Sequence, residues 1–178
     1  MVKKSTPKKK IPTNAAPTKP KKKRVKKPTY KVVPIETTVA AAIGDAMSEF
    51  QSLGEEMRET ADNMEGANMG HMQKCQDASE AADELENHTD EPDVPEFLQD
   101  LKVTTTELRN RNKRRGPSRA IRFSNAQSLI QAARDAVKEF ADSEDPGRKE
   151  EEAEEADQLA SDLDEHCEFD VNFPGMYG

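Results

Sequence analysis

The amino-acid sequence predicts an all-α fold: a small antiparallel helical bundle with a disordered basic tail at its N-terminus. Three observations carry that prediction. Residues 38–64 hold Val39, Ile43, Met47, Phe50, Leu53, Met57, Ala61 and Met64 at steps of three or four, the spacing of one helix face. Three later stretches, 71–87, 124–141 and 148–165, keep the same period. The opening residues, 1–34, are rich in Lys and Pro and hold no acidic residue, a composition that cannot bury a core.

Charge is segregated along the 178 residues. Residues 1–35 carry twelve Lys, one Arg and no acid, a net +13. The rest holds 14 basic residues against all 35 acidic ones, a net −21. Only 33% of residues are hydrophobic and there is no Trp, so the core is expected to be thin.

Taken in order, the tail comes first. Prolines at 7, 12, 17, 20, 28 and 34 deny it a long helix, and Lys repulsion keeps it extended. Hairpin one spans 35–91. Its first helix opens at Thr37 or Thr38 and ends at Gly66, and Gly44 and Gly54 within it each cost about 1 kcal/mol against Ala. Each of these glycines marks either a close approach of a second helix or a soft point. The second helix covers His71 to Asn87, and the short link makes the pair antiparallel. Residues 92–123 are expected to hold a short third helix after Pro95, carrying Phe97, Leu98, Leu101 and Leu108 and weakened by Thr104, Thr105 and Thr106. An Arg-rich loop follows. Hairpin two spans 124–168, opened by a capping-box pattern at Ser124-Asn125-Ala126-Gln127 and turned at Asp145-Pro146-Gly147. The last residues, 169–178, are an apolar tail that lies across a groove or hangs free.

The two hairpins echo one another. Gln51-Ser52-Leu53 recurs as Gln127-Ser128-Leu129, Leu85 to His88 as Leu163 to His166, and Asp93-Val94 as Asp170-Val171, at offsets of 76, 78 and 77. Two readings stand: a duplicated helical hairpin, or coincidence in acidic helical sequence of low information content.

No catalytic constellation is present. The acidic run at 151–157 reads as a solvated helix face, because acid–base work needs carboxylates whose surroundings push their pKa values apart. There is no Gly-rich phosphate loop, HExxH or GxSxG. His71 with Cys75, and His166 with Cys167, lack the paired spacing of metal sites and are read as packing or surface residues. The expectation is therefore no enzyme, no cofactor and no metal. With no long apolar stretch, membrane insertion and secretion are not expected, and a cytoplasmic, nucleoid or nuclear place is.

The basic residues carry the functional expectation: non-specific binding to the DNA or RNA phosphate backbone through counterion release. The residues assigned to it are Lys8, Lys9, Lys10, Lys21, Lys22, Lys23, Arg24, Lys26 and Lys27 in the arm. Arg109, Arg111, Lys113, Arg114, Arg115, Arg119 and Arg122 supply a second contact in the loop. Two competing readings remain: the loop arginines neutralise the chain's own acidic helices, and the stretch Pro20 to Lys27 resembles a simple basic nuclear import signal. The alternative function is a structural or protein-interaction module whose acidic helical surface binds a basic partner. A homodimer is expected through Val39, Ile43, Met47, Phe50 and Met57, since a Met- and Ala-rich face adapts readily to a partner. The general style is that of a small phage or viral accessory protein, an expectation that no single residue carries.

Overall fold

The structure is a computed structural model and describes residues 30–111, 116–143 and 149–174. Most of it is helical, as expected, but the all-α expectation is corrected by a two-stranded antiparallel ribbon. Strand β1 (Tyr30–Thr38) pairs with β2 (Lys102–Asn110), with Tyr30 opposite Asn110 and Thr38 opposite Lys102. The cause is β-branching. β1 carries Val32, Val33, Ile35, Thr37 and Thr38 and β2 carries Val103, Thr104, Thr105 and Thr106, side chains that are stiff at χ1 and suit a pleated surface better than a helix. The three threonines read above as a weak helix middle are strand, and Tyr30 to Pro34 belong to the fold and not to the tail. The expected third helix shrinks to α3, Glu96–Gln99, leaving Leu101 and Leu108 outside it.

Helix α1 (Val39–Gly66) follows β1 directly. Thr38 caps it, its side chain accepting from the Ala41 amide at 3.4 Å, and Val39 donates its amide to Leu101 O at 2.9 Å, which ties the helix start to the ribbon base. Helix α2 (Gln73–Glu86) packs back along α1. Gly54 is a point of close approach: a Cβ there would meet Leu85 Cβ at 3.5 Å. Helix α4 (Arg119–Asp142) begins with Ser118 as its N-cap residue, one turn and more before the expected start. The Ser124 pattern is therefore not a cap, and Ser124 lies within the helix. Helix α5 (Glu150–Cys167) completes hairpin two, its Lys149 amide donating to Glu152 at 3.4 Å.

One core runs through both hairpins. Phe50 of α1 sits at its centre, 5.6 Å from the Phe123 ring and 5.1 Å from Phe169, and Phe123 and Phe169 are 5.1 Å apart. Phe169 and Val171 are buried, with Phe173 packed beside them, so this part of the C-terminal segment lies against the core that both hairpins share. The self-association face is a further correction. Val39, Ile43, Met47, Phe50 and Met57 are at most 4% exposed within the single chain. The stripe is satisfied by α2 on one side and α4 on the other, so it offers no surface to a second copy.

Candidate nucleic-acid interface

The ribbon brings together basic segments that lie some eighty residues apart in sequence. Its register sets Lys31 opposite Arg109 on one ribbon face, both exposed, and Tyr30 opposite Asn110. Arg111, just past the end of β2, donates from Nε to the Tyr30 carbonyl at 3.4 Å, across the ribbon's open end. In sequence, this end is flanked by the arm on one side and by Lys113, Arg114 and Arg115 on the other. Those three, and Lys8, Lys9, Lys10, Lys21, Lys22, Lys23, Arg24, Lys26 and Lys27, lie outside the described residues.

Each edge of the ribbon carries a feature that disfavours a further strand. On β2, Asn125 of α4 behaves as a strand partner: its Oδ1 accepts from the Leu108 amide at 2.9 Å, and its Nδ2 donates to Leu108 O at 3.2 Å. Leu108 thus points its backbone away from β1, and so does Val32 opposite it. Pro34, two residues on, is in the same phase, which places its missing N–H on the outer edge of β1. That also explains why a proline is tolerated there.

The remaining arginines are engaged elsewhere. On α4, Arg119 and Arg122 share one face, turned towards Glu49, Ser52 and Glu56 of α1. Arg119 donates to Glu56 at 2.9 Å and to Thr60 Oγ1 at 3.4 Å. Arg122 pairs with both Glu49 and Glu56 and donates to Ser52 Oγ at 3.0 Å. Burial alone would raise the Glu56 pKa, but the hydrogen bonds and charges of Arg122 and Arg119 outweigh it and hold the carboxyl below its ordinary value. The Arg122 pKa is likewise raised by its carboxylate partners against the opposing effect of burial. For these two residues the neutralisation reading holds. Arg109 is intermediate, exposed at the ribbon end but paired with Glu107 two positions back.

Sequence reasoning missed Lys31 as a site residue, and missed the arrangement itself, because nothing local announces which strand pairs with which. It also missed a groove of about 700 Å³ between the ribbon, α1 and α4. Ile35, Ala126 and Leu129 supply its apolar lining, and Glu36, Asp45 and Glu107 stand at its rim.

Both cysteines are free. Cys75 is buried with Sγ 3.6 Å from Ala61 O, and Cys167 is partly buried. Among the described residues no group of three or more His, Cys, Asp or Glu is placed to hold a metal ion, and no helix is long and apolar enough to cross a membrane. No protein-family model, curated protein or solved structure matches the chain.

Proposed function

We propose that this chain is a non-enzymatic nucleic-acid-binding accessory protein that contacts phosphate through its basic arm without reading sequence. The observation that carries the reading is the ribbon register, which joins the arm, Lys31, Arg109 and Arg111 at one end of the molecule. Convergence matters because multi-phosphate contact gains affinity only when the cations can reach one stretch of polymer together.

The placement of the acidic residues supports the same reading. Helix α4 starts beside the ribbon end and runs 24 residues, about 36 Å at 1.5 Å per residue. The Glu-rich first turns of α5 begin beyond its far end. The densest carboxylate run is thus about one helix length from the cationic end, where it neither screens the arm nor repels the polymer. It leaves a separate acidic surface, which is the basis of the alternative in which the body binds a basic protein partner.

We further propose that the chain is a duplicated unit of strand, long helix and acidic helix. One contact recurs in the two halves, and another joins them at equivalent positions. Arg58 pairs with Glu86 at 2.6 Å in hairpin one, and Arg134 with Asp164 at 2.8 Å in hairpin two, at sequence offsets of 76 and 78. His88 and His166, also 78 apart, meet with ring centroids at 5.5 Å. An approximate two-fold axis through that pair would relate β1 to β2 and α1 to α4.

The test is a salt series of fluorescence-anisotropy titrations against unrelated duplex and single-stranded oligonucleotides. It compares the full chain, a chain starting at Tyr30 so that β1 is kept whole, and a triple Ala variant of Arg111, Arg114 and Arg115. With roughly 6 to 10 phosphate contacts, affinity should fall about 10³- to 10⁵-fold between 50 and 200 mM salt. Removing residues 1–29 should abolish most binding, and the triple variant should lose less, equally on every sequence. Absence of binding by the full chain at 50 mM salt overturns the reading and leaves the acidic interaction module.

A further inference from the structure

We propose that His88 and His166 form an acid-operated latch on the C-terminal segment: with both rings neutral the segment is held on the core, and charging His166 frays the end of α5 and lifts Phe169 while the other helices stay folded. This does not rest on nucleic-acid binding and stands on how the rings are placed. His166 lies in the last turn of α5 and His88 follows the end of α2, so the ends of the two helices meet here. The His88 ring stacks on Phe169, with centroids 3.9 Å apart and planes 13° from parallel, and stands edge-on to His166 at 5.5 Å. Phe169 in turn meets Phe50 and Phe123 edge-on, each at 5.1 Å, and Gln127 Nε2 donates to its carbonyl at 2.6 Å. The ring that closes the core junction is thus itself held by a histidine.

Charging His166 where it sits is costly. Its Nδ1 is buried and finds no hydrogen-bond partner among the described residues. A neutral imidazole leaves one nitrogen bare, but an imidazolium carries N–H on both, and one of them would be buried here without an acceptor. A charged His88 at 5.5 Å adds like-charge repulsion. The surrounding charges do not cancel these costs. Glu84 of α2 has its Oε1 3.8 Å from His88 Nε2 and serves that ring. Asp90 after α2, and Asp162 and Glu165 on α5, favour the charged His166, yet burial first and His88 second outweigh them and hold its pKa below the ordinary value. Arg134 of α4 and Glu168 act on the neighbouring Cys167, and Arg134 is bound to Asp135 and Asp164. Phe169 and Gln127 bring no charge to the site.

The least costly escape is local. Leu163, one turn back on α5, is fully buried and pins the helix there, so fraying of the last turn alone brings Nδ1 to water. Phe169, three residues on, is carried with it and uncovers Phe50 and Phe123. Opening takes up one proton. The open fraction is therefore constant well above pH 6.5, the ordinary imidazole value, and rises by up to about tenfold per pH unit as pH falls below it. It levels off once pH passes the lower folded pKa.

The latch is read by NMR on the full-length chain between pH 7.5 and pH 5, without nucleic acid. Amide exchange rates, corrected for the intrinsic effect of pH, should rise for His166 and Cys167 by up to about 30-fold between pH 6.5 and pH 5, and stay level for Ala46 to Phe50. Over the same range a neutral soluble nitroxide should increasingly broaden the Val171 methyls, which the closed segment buries. His166→Gln should abolish both responses. His88→Phe keeps a ring against Phe169 but removes the second cation, so its rise should be smaller. His71→Gln, at an exposed histidine, should leave both responses as they are. Exchange that rises equally in α1, a rise of less than twofold, a rise that survives His166→Gln, or one that His88→Phe leaves unchanged overturns the proposal. Should His166→Gln fail to fold, the unmodified chain decides. His166 ring resonances that titrate while the Val171 methyl shifts stay fixed show a histidine charged in place, and that overturns the latch; shifts that move together with the titration support it.

Discussion

Four arginines within fourteen residues of one another end up with different work. Arg109 and Arg111 finish a strand, and their side chains stand at an exposed ribbon end. Arg119 and Arg122 start a helix, which turns both towards α1. The local composition is the same and the charges are the same. The difference is the secondary structure each pair falls in and the carboxylates that structure brings within reach. Glu49 and Glu56 are seven apart on α1, two helical turns, so they present a ready-made clamp for guanidinium groups arriving on a packed neighbour. A run of basic residues is thus not one structural unit: the α1/α4 seam takes up two of them, and the ribbon end leaves two exposed.

The largest difference between seam and ribbon end should appear in stability. Phe50 is fully buried and touches both Phe123 and Phe169, so Phe50→Ala removes a side chain on which three chain segments converge. Loss of a buried Phe costs about 3–5 kcal/mol, a large fraction of the stability available to a small domain. Arg109→Ala and Arg111→Ala remove exposed side chains and should stay within about 0.5 kcal/mol of the unmodified chain. Urea unfolding followed by circular dichroism checks both, and a Phe50→Ala cost below about 1 kcal/mol would show that the hairpins do not depend on this junction.

That asymmetry follows what the sequence made legible. The period of Val39, Ile43, Met47, Phe50, Leu53 and Met57 announces α1 and its buried face, and the same pattern places α2, α4 and α5 to within a few residues. Periodicity says that a face must be covered, but not by what. A second copy was a natural guess for a core so poor in large residues, whereas the chain's own α2 and α4 do the covering. The ribbon was hidden for a different reason. Lys102 to Asn110 alternates only weakly between apolar and polar, and a strand of this kind is defined by its partner, here 72 residues away. The start of α4 at Arg119 was masked by Ser124 and Gln127, which imitate a capping box. In the fold the neighbouring Asn125 is instead occupied with the edge of β2.

A second, intermediate effect separates the two arginine pairs. Arg122→Ala leaves Glu49 and Glu56 without their shared partner at a half-buried seam, and loses the Ser52 hydrogen bond. Hydrogen bonds to charged groups contribute about 1.5–3 kcal/mol, so a cost of roughly that size is expected. The variant should leave the salt slope of oligonucleotide binding unchanged, whereas Arg111→Ala should lower binding and leave stability alone. If Arg122→Ala flattens the salt slope, its guanidinium meets phosphate and the division between seam and ribbon end fails.

The smallest effect is a pH dependence that tells the seam from the hairpin ends. At the seam the Glu56 carboxyl is held below its ordinary value, so the unfolded chain binds its proton more readily. That contribution is present above the unfolded carboxylate pKa, and is lost as pH falls through the lower folded value. At the ends of α2 and α5 the group is His166. Its Nδ1 is buried and finds no hydrogen-bond partner among the described residues, and its ring lies 5.5 Å from His88. Burial first, and the neighbouring His88 second, push the His166 pKa down, against the opposite pull of Glu165, Asp90 and Asp162. The unfolded chain, with an imidazole near 6.5, therefore takes up a proton before the folded chain does. Stability is expected to be level above that value and to decline as pH falls below it towards the lower folded pKa, a decline that starts at higher pH than the one set by Glu56. Urea midpoints measured from pH 7.5 to pH 3 should show two declines. His166→Gln should remove the upper one and leave the lower, and Arg122→Ala should reduce the lower and leave the upper. A single decline that both variants alter equally would mean that seam and hairpin ends are protonated as one coupled unit, and the two regions would then not be energetically separate.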